Sequence, residues 1–190
     1  MAQVEDKDEC PSDLLTAAIT LVGASDAKGL QRLEELIVDF PMDARLHFLR
    51  GSLLAGQQRY AEAHQSMAEA VAIAPAYAIA RFQLGFLELT SGDAAAAVST
   101  WGPLGQLPQG DPLRLFSQGL QHLARDEFET AIELLERGVA ANTEIPALNG
   151  DMRLIIDKTN ETRVQGPAAE EPMSSAHMLL QQNAAKATKH

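Results

Sequence analysis

The side chains that could do chemistry are few, and their spacing does not assemble a site. His47 and Ser52 are five positions apart, which on a helix does not bring a serine hydroxyl to a histidine ring as a catalytic triad requires. Cys10 is the only cysteine, and no paired-histidine motif, CxxC motif or glycine-rich phosphate loop appears in the sequence. We therefore predict that the chain is not an enzyme and has no cofactor or metal site.

The net charge of −11 limits the partners that the chain can bind. A negative surface repels the phosphates of nucleic acid and the anionic headgroups of membranes, so we expect no nucleic-acid partner. The sequence has no apolar run approaching about twenty residues, so we also expect no membrane insertion. The charge suits a basic partner, although an acidic surface also serves solubility alone.

The N-terminal residues and the cysteine content predict the compartment. The first ten residues, MAQVEDKDEC, contain several acids and no apolar run, which is not the pattern of a secretory signal. One cysteine cannot form an intrachain disulfide and is compatible with a reducing environment. We therefore expect a cytoplasmic protein, and its acidic composition is typical of a bacterial one.

A repeat of 34 residues organises the sequence. Five columns of residues share this step: Gly51, Gly85 and Gly119; Ala63, Ala97 and Ala131; Met67, Trp101 and Leu135; Phe48, Phe82 and Phe116; Pro41 and Pro75. Alanine and leucine dominate the apolar residues and aromatics make up only 5%, a composition that favours helices over strands. A period of this length in such a chain predicts two helices in each repeat.

These columns resemble the tetratricopeptide family, whose repeat is a pair of antiparallel helices. With repeats beginning at residues 10, 44, 78 and 112, the small residue of the family's first helix is matched by Ala17, Gly51, Gly85 and Gly119. The helix-ending proline is matched by Pro41 and Pro75 and is absent from the last two repeats. The resemblance covers roughly residues 10–145 and implies an all-α fold, a right-handed superhelical stack of helix pairs.

The sequence also predicts the boundaries of the domain. Residues 1–9 are an acidic extension, and residues 10–160 form the repeat domain, closed by a capping helix over 146–160. Residues 161–190 have the composition of a flexible linker and tail, in which an apolar cluster at 178–180 favours a short helix. Within the third repeat, Gly102 and Pro103 oppose a helix, so we expect its second helix to end or kink near Trp101.

The glycine column predicts close packing inside each repeat. Glycine within a helix costs about 1 kcal/mol relative to alanine, so three glycines in register require a packing reason. We expect each to lie where the two helices of its repeat approach most closely. The bulky column of Met67, Trp101 and Leu135 is then expected to fill the space toward the following repeat.

The first helices of successive tetratricopeptide repeats line a concave face that binds partners. The resemblance places these residues on that face: Arg45, Phe48, Ile79, Phe82, Phe86, Leu113, Phe116 and Leu120. Most are large and apolar, which predicts a ladder of phenylalanines able to hold an apolar or amphipathic segment of a partner polypeptide. The same stripe is equally typical of a buried core, and the sequence leaves that alternative open.

Function follows from this face. We expect a non-enzymatic interaction module, an adaptor or chaperone for another protein, similar in size and acidity to the small tetratricopeptide chaperones of bacterial secretion systems. The alternative is a structural subunit of a larger complex or a homodimer that uses the same surface. The chain's own C-terminal tail is a further occupant, because its apolar cluster at 178–180 follows a linker long enough to reach back.

Overall fold

The computed structural model describes residues 9–165, and within that range the chain is helical and contains no strand. The first helix of each predicted repeat is α1 (Ser12–Ala24), α3 (Ala44–Gly56), α5 (Ala78–Thr90) and α7 (Pro112–Leu123). The second helices are α2 (Asp26–Asp39), α4 (Tyr60–Ile73), α6 (Ala94–Trp101) and α8 (Phe128–Ala141), and α9 (Pro146–Gln165) follows them. Neighbours along the chain pack as pairs, such as α3 with α4 and α7 with α8. The predicted all-α fold class is therefore confirmed.

The helices keep the step of the sequence repeat. The helices α3, α5, α7 and α9 begin at residues 44, 78, 112 and 146, and α4, α6 and α8 begin at residues 60, 94 and 128. Asp43, Asp93 and Asp111 precede three of these helices, and each carboxylate accepts a hydrogen bond from a backbone N–H of the first turn. Such caps satisfy donors that the helix itself leaves unpaired, which fixes where the helix starts.

A residue in the left-handed backbone conformation follows the first helix of the second, third and fourth pairs. These residues are Gln58, Gly92 and Asp126, with φ of 62°, 96° and 59°. After each of them, a backbone N–H donates back across the turn, as from Arg59 to the Leu54 carbonyl at 2.9 Å. This is the hydrogen bond of a Schellman motif, and it reverses the chain so that the second helix can pack on the first.

The chain divides into two compact units, with the boundary between Ala80 and Arg81 inside α5. In the first unit, the core consists of residues from the N-terminal segment and α1–α3: Cys10, Ala18, Leu33, Leu36, Leu46 and Leu53. A further cluster in the same unit contains Ala44, Ala70 and Ala80, with Phe48 and Tyr77 packed against it. In the second unit, the core includes aromatic side chains of α5–α7.

The glycine column marks the closest approach within each helix pair, as predicted. A Cβ atom added at Gly51 would lie 2.7 Å from Met67 Cγ, and one added at Gly119 would lie 2.9 Å from the Leu135 side chain. At Gly85 it would overlap the indole of Trp101, with 2.6 Å to Cε2. The bulky residue therefore packs on the glycine of its own repeat, whereas the sequence predicted that it would reach toward the next.

Trp101 connects this contact to the aromatic core of the second unit. Its indole N–H donates to the Phe82 carbonyl at 2.9 Å, and its ring stacks on Phe82 with centroids 6.1 Å apart. Phe82 also contacts Phe116, again with centroids 6.1 Å apart. Gly138 of α8 lies directly against the Phe116 ring, where a Cβ would come within 2.5 Å of Cδ1. The rings are thus enclosed by residues of their own unit.

This packing corrects the predicted phenylalanine ladder. Phe82, Phe116 and Leu120 are each 0% exposed, so they are core residues rather than parts of an open wall. The physical reason is the glycine contact, which brings Trp101 and α8 close enough to cover the rings. The alternative that the sequence left open, a stripe buried in the core, applies at these three positions.

Two predicted boundaries can be compared with the helix ends. The helix α6 ends at Trp101 and continues as a 3-10 turn over Gly102–Gln106, which confirms the expected break at Gly102 and Pro103. The capping helix was predicted to end at residue 160, but α9 runs to Gln165 and so includes the start of the predicted linker. Residues 161–165 contain no glycine or proline, and the next breakers in the sequence are Gly166 and Pro167. Residues 1–8 and the tail from residue 166 lie outside the described range.

Replacing Gly85 with alanine tests the helix contact. The added methyl group would overlap the Trp101 indole, which is 1% exposed and held by its hydrogen bond. We expect the free energy of unfolding to fall by about 1–3 kcal/mol, and Gly85→Leu to cost more. Chemical denaturation followed by far-ultraviolet circular dichroism measures the change.

Gly150→Ala is the matched control, because Gly150 also lies in a helix but no neighbouring group comes within 4 Å of an added Cβ. Alanine is favoured over glycine inside a helix by about 1 kcal/mol, so this variant should be at least as stable as the parent protein. Equal stability of the Gly85→Ala and Gly150→Ala variants would contradict the contact.

A second pair of variants tests which phenylalanines belong to the core. Phe116 is fully buried, so Phe116→Ala should lower the free energy of unfolding by about 3–5 kcal/mol through the cavity it leaves. Phe48 is half-buried, so Phe48→Ala should cost clearly less. If the two variants lose the same stability in denaturant titrations, the division of the ladder into buried and accessible members is wrong.

Candidate protein-binding site

The structure divides the predicted site residues by exposure. Phe82, Phe116 and Leu120 are buried and cannot contact a partner in this conformation. The remaining residues are half-buried: Arg45, Phe48, Ile79, Phe86 and Leu113. In the second unit, the ring of Phe86 stacks on Phe82 with centroids 6.3 Å apart, so Phe86 forms the outer edge of the aromatic core. Two of the accessible residues, Arg45 and Leu113, line surface recesses.

The first unit contains a recess of about 500 Å³, which we call the first recess. The N-terminal end of α3 and the connection from α4 to α5 form its walls, through Asp43, Ala44, Arg45, Ile73, Ala74 and Tyr77. Glu9 and Met42 complete the lining and are largely exposed. The lining is mostly apolar, with charged groups along one part of it. A volume of this size is typical of pockets that hold a small ligand or a side chain.

Asp43 holds the charged part of the first recess together. Its side chain is buried, and it accepts hydrogen bonds from the backbone N–H groups of Arg45 and Cys10 at 2.9 and 2.8 Å. The Arg45 guanidinium donates to both carboxylate oxygens, at 2.9 Å from Nε to Oδ1 and 2.6 Å from Nη2 to Oδ2. Burial raises the pKa of the Asp43 carboxyl, but the hydrogen bonds from Arg45 and the Cys10 amide outweigh it and hold the pKa below its ordinary value.

The same hydrogen bonds fix the N-terminal segment beside the recess. Arg45 Nη2 also donates to the Cys10 carbonyl at 3.0 Å, so both backbone groups of Cys10 are paired with the Asp43–Arg45 couple. The Cys10 side chain is 2% exposed within the core cluster. Burial, and next the Asp43 carboxylate, raise the pKa of its thiol, so the group is a packing residue rather than a nucleophile. Glu9, directly before it, is thereby held at the recess.

Tyr77 forms an aromatic wall of the first recess. Its ring meets Phe48 edge to face, with centroids 5.4 Å apart and planes at 62°. Burial raises the pKa of the Tyr77 hydroxyl, so the phenol is neutral at physiological pH. Phe48, predicted as a contact residue, therefore supports the ring that lines the recess. Sequence reasoning missed both Tyr77 and Asp43, although an aspartate directly before a helix is an N-cap signal that could have revealed the latter.

The second unit contains a recess at the equivalent positions, which we call the second recess. Its volume is about 190 Å³, and its walls include Asp111, Pro112, Leu113, Ala141, Asn142 and Ile145. Each of these residues is two repeats after one of the six wall residues of the first recess. Asp111 caps α7 by accepting from the Leu113 N–H at 2.9 Å, as Asp43 caps α3. Thr143 and Glu144 complete the lining.

Hydrogen bonds hold the connection between α8 and α9, which lines the second recess. The buried Asn142 accepts a hydrogen bond from the Ile145 N–H at 3.1 Å and donates to the Ile145 carbonyl at 2.7 Å. Asn149 donates back to the Asn142 carbonyl at 3.0 Å. These bonds pair the Asn142 amide and both backbone groups of Ile145 within the connection.

His47 and Ser52, whose side chains could do chemistry, form hydrogen bonds within the fold. The buried ring of His47 lies between the Glu69 carboxylate, 3.0 Å from Nδ1, and the Pro41 carbonyl, 2.8 Å from Nε2. The Ser52 hydroxyl donates to the Phe48 carbonyl at 3.0 Å, so it does not contact His47. Among residues 9–165, no three histidine, cysteine or acidic side chains stand close enough to hold a metal ion. None of the helices in the same range has the length and apolarity to span a membrane.

Comparisons with known proteins give similarity in fold. No protein-family model matches the chain, and no curated protein sequence matches it. The solved structure of MamA from Desulfovibrio magneticus RS-1, residue 41 to the end, is similar with a TM-score of 0.60 and 16% identity. A double mutant of MamA RS-1 matches with a TM-score of 0.59 and 16% identity. Both alignments cover 96% of this chain and 93% of the other. The chain therefore shares the fold of these MamA structures.

Proposed function

We propose that the chain is a non-enzymatic interaction module that binds an apolar or amphipathic segment of a partner polypeptide. The observation that carries this proposal is the recurrence of one recess, with apolar walls, at equivalent positions of the two units. Arg45 and Leu113, which the family resemblance assigns to the partner-binding face, stand at the same position of the two recesses. A helical repeat fold similar to that of MamA supports the proposal.

The energetic case rests on apolar side chains that still contact water. Met42 is 57% exposed, and Ile73, Tyr77 and Leu113 are half-buried. Covering such surface releases about 25 cal/mol for each Å² of apolar area, so a few inserted side chains supply several kcal/mol. Phe82 and Phe116 are already buried in the core, so a partner would cover no further apolar area on them. We therefore assign binding to the recesses and to the half-buried residues of the predicted face, Phe48, Ile79 and Phe86.

The role of the module is an adaptor or chaperone of the cytoplasm, in a bacterial cell. The alternative is a structural subunit or homodimer that uses the same recesses permanently. Co-purification and sedimentation separate these roles, because an adaptor is isolated as a soluble monomer without its partner, whereas a subunit is isolated in a stable stoichiometric complex. Docking of the chain's own tail, residues 173–186, concerns a segment outside the described residues.

Paired substitutions test whether the recesses bind the partner. The double variant Met42→Ser with Leu113→Ser removes one apolar side chain from each recess. Because burial of each such side chain is worth about 1.5–3 kcal/mol, we expect capture of the partner by the full chain to fall more than tenfold. Quantitative mass spectrometry of proteins retained from a lysate measures the loss, and circular dichroism checks that helicity is unchanged.

The matched control is Val38→Ser with Val98→Ser. These valines are 80% and 43% exposed, one in each unit, and neither lines a recess. The control should retain every partner that the parent protein captures. If both double variants lose the partner equally, or if the recess variant keeps it, binding does not occur through the recesses.

A further inference from the structure

The charged groups that line the first recess indicate which kind of partner side chain it binds, which the apolar lining alone does not. Two carboxylates, Glu9 and Asp43, and one guanidinium, Arg45, line it. Arg45 lies 2.6 Å from Asp43 in a bidentate pair and 3.8 Å from Glu9. Two negative charges and one positive charge leave a net charge of −1. The Glu9 side chain is 68% exposed, so the unbalanced charge faces the solvent.

An acidic partner group would find most of the Arg45 donors in this recess already occupied. The Nε and Nη2 donors of Arg45 are occupied by Asp43 and the Cys10 carbonyl. The Asp43 side chain is 2% exposed, so a competing carboxylate would have to displace a buried and fully hydrogen-bonded group. Separating such a pair leaves a charge buried without its partner, which is strongly unfavourable. The net negative charge and the occupied donors therefore disfavour an anion in this recess.

The apolar walls suit the stem of a long cationic side chain. Met42, Ile73 and Ala74 offer aliphatic surface, and Tyr77 offers the face or edge of a neutral ring. Lysine and arginine bury their methylene stems on such surface while keeping the charged group near water. An aromatic ring close to the cation adds attraction of about 0.5–1 kcal/mol at exposed sites.

From this combination, and resting on the proposed function, we infer that the first recess takes a lysine or arginine side chain of the partner polypeptide. The stem lies against Met42, Ile73 and Tyr77, and the charged group lies at Glu9. The partner segment is therefore basic as well as apolar, which also agrees with the net charge of −11 on the chain.

The second recess also combines acidic lining residues with apolar walls. Asp111 and Glu144 line it and no cationic side chain does, while Leu113, Ala141 and Ile145 supply apolar walls. Its charge is thus of the same sign as that of the first recess, although different residues provide it. A preference for basic side chains is a shared property of the two equivalent recesses.

A pair of peptides tests the inference on the full chain. The probe is a seven-residue peptide that alternates leucine with lysine, and its control carries norleucine in place of each lysine. Titrations followed by ¹⁵N–¹H spectra should shift the amide signals of Ala44, Arg45, Ile73 and Ala74 with the lysine peptide. The norleucine peptide should bind more weakly, and salt should weaken only the lysine peptide, since the Debye length falls from about 10 Å at 0.1 M to about 3 Å at 1 M.

Reversing the charge of Glu9 tests whether the lysine peptide binds at the first recess. Glu9→Lys should weaken binding of the lysine peptide on the order of fivefold, as expected for replacing one exposed attraction by a repulsion. Glu161→Lys changes the net charge equally, but Glu161 is an exposed residue of α9 that lines neither recess. This control should bind the peptide like the parent protein.

Three contrary outcomes have different meanings. If the norleucine peptide shifts the same amides with equal or higher affinity, and Glu9→Lys has no effect, the recess takes apolar side chains; the inference is overturned and the proposed function stands. If neither peptide shifts any amide of the recess, both the inference and the assignment of binding to this surface are wrong. Equal weakening by Glu9→Lys and Glu161→Lys would mean that only the overall charge matters, which also overturns the inference.

Discussion

The indole of Trp101 lies directly on Gly85, and this contact determines which side chains of the second unit are core. Without a Cβ at residue 85, α6 comes close enough for the indole N–H to reach the Phe82 carbonyl at 2.9 Å. The indole then stacks on the Phe82 ring, and Phe82 in turn contacts Phe116. The free-energy cost of a glycine within the helix is thus offset by burial of the aromatic surface that the glycine allows to pack.

This packing also limits where the proposed partner could bind. In the second unit, Phe82 and Phe116 of the phenylalanine column are buried in the core, so the column does not form an open wall there. The apolar side chains that line the two recesses lie instead around the N-terminal ends of α3 and α7, where a capping aspartate begins the helix. In the first unit the capping residue Asp43 also orients Arg45 and pairs with Cys10, so one carboxylate starts a helix, fixes the N-terminal segment and sets the charge of the recess. Fold and candidate site share the same residues.

The sequence predicted the helices well because their signals are local and repeated. Columns of glycine, alanine and bulky residues at a fixed step indicate helix pairs, and Gly102 with Pro103 indicates where α6 ends. Not every local feature was visible: nothing in the type of Gln58 marks it as the left-handed residue of its turn, a role that Gly92 fills two helices later. Its conformation follows from the hydrogen bond between Arg59 and Leu54 that closes the turn.

The candidate site was predicted less well, for a physical reason. Periodicity shows that Phe48, Phe82 and Phe116 share a position in the repeat, but it cannot show which of them a neighbouring helix covers. Coverage depends on Trp101 and Gly138, which lie in other helices. The recesses are likewise formed by residues from a helix start and a distant connection, such as Arg45 with Tyr77. A family resemblance pointed to Arg45 and Leu113 but not to the residues that complete each recess.

A double-mutant cycle between residues 85 and 101 tests the central claim most directly. The variants are Gly85→Ala, Trp101→Leu and the two combined, with the free energy of unfolding measured for each in denaturant. The smaller leucine makes room for the methyl group, so Gly85→Ala should cost less in the Trp101→Leu background, with a coupling energy of at least about 1 kcal/mol. Effects that add within about 0.5 kcal/mol would contradict the account, because the glycine would then have no specific part in seating the indole.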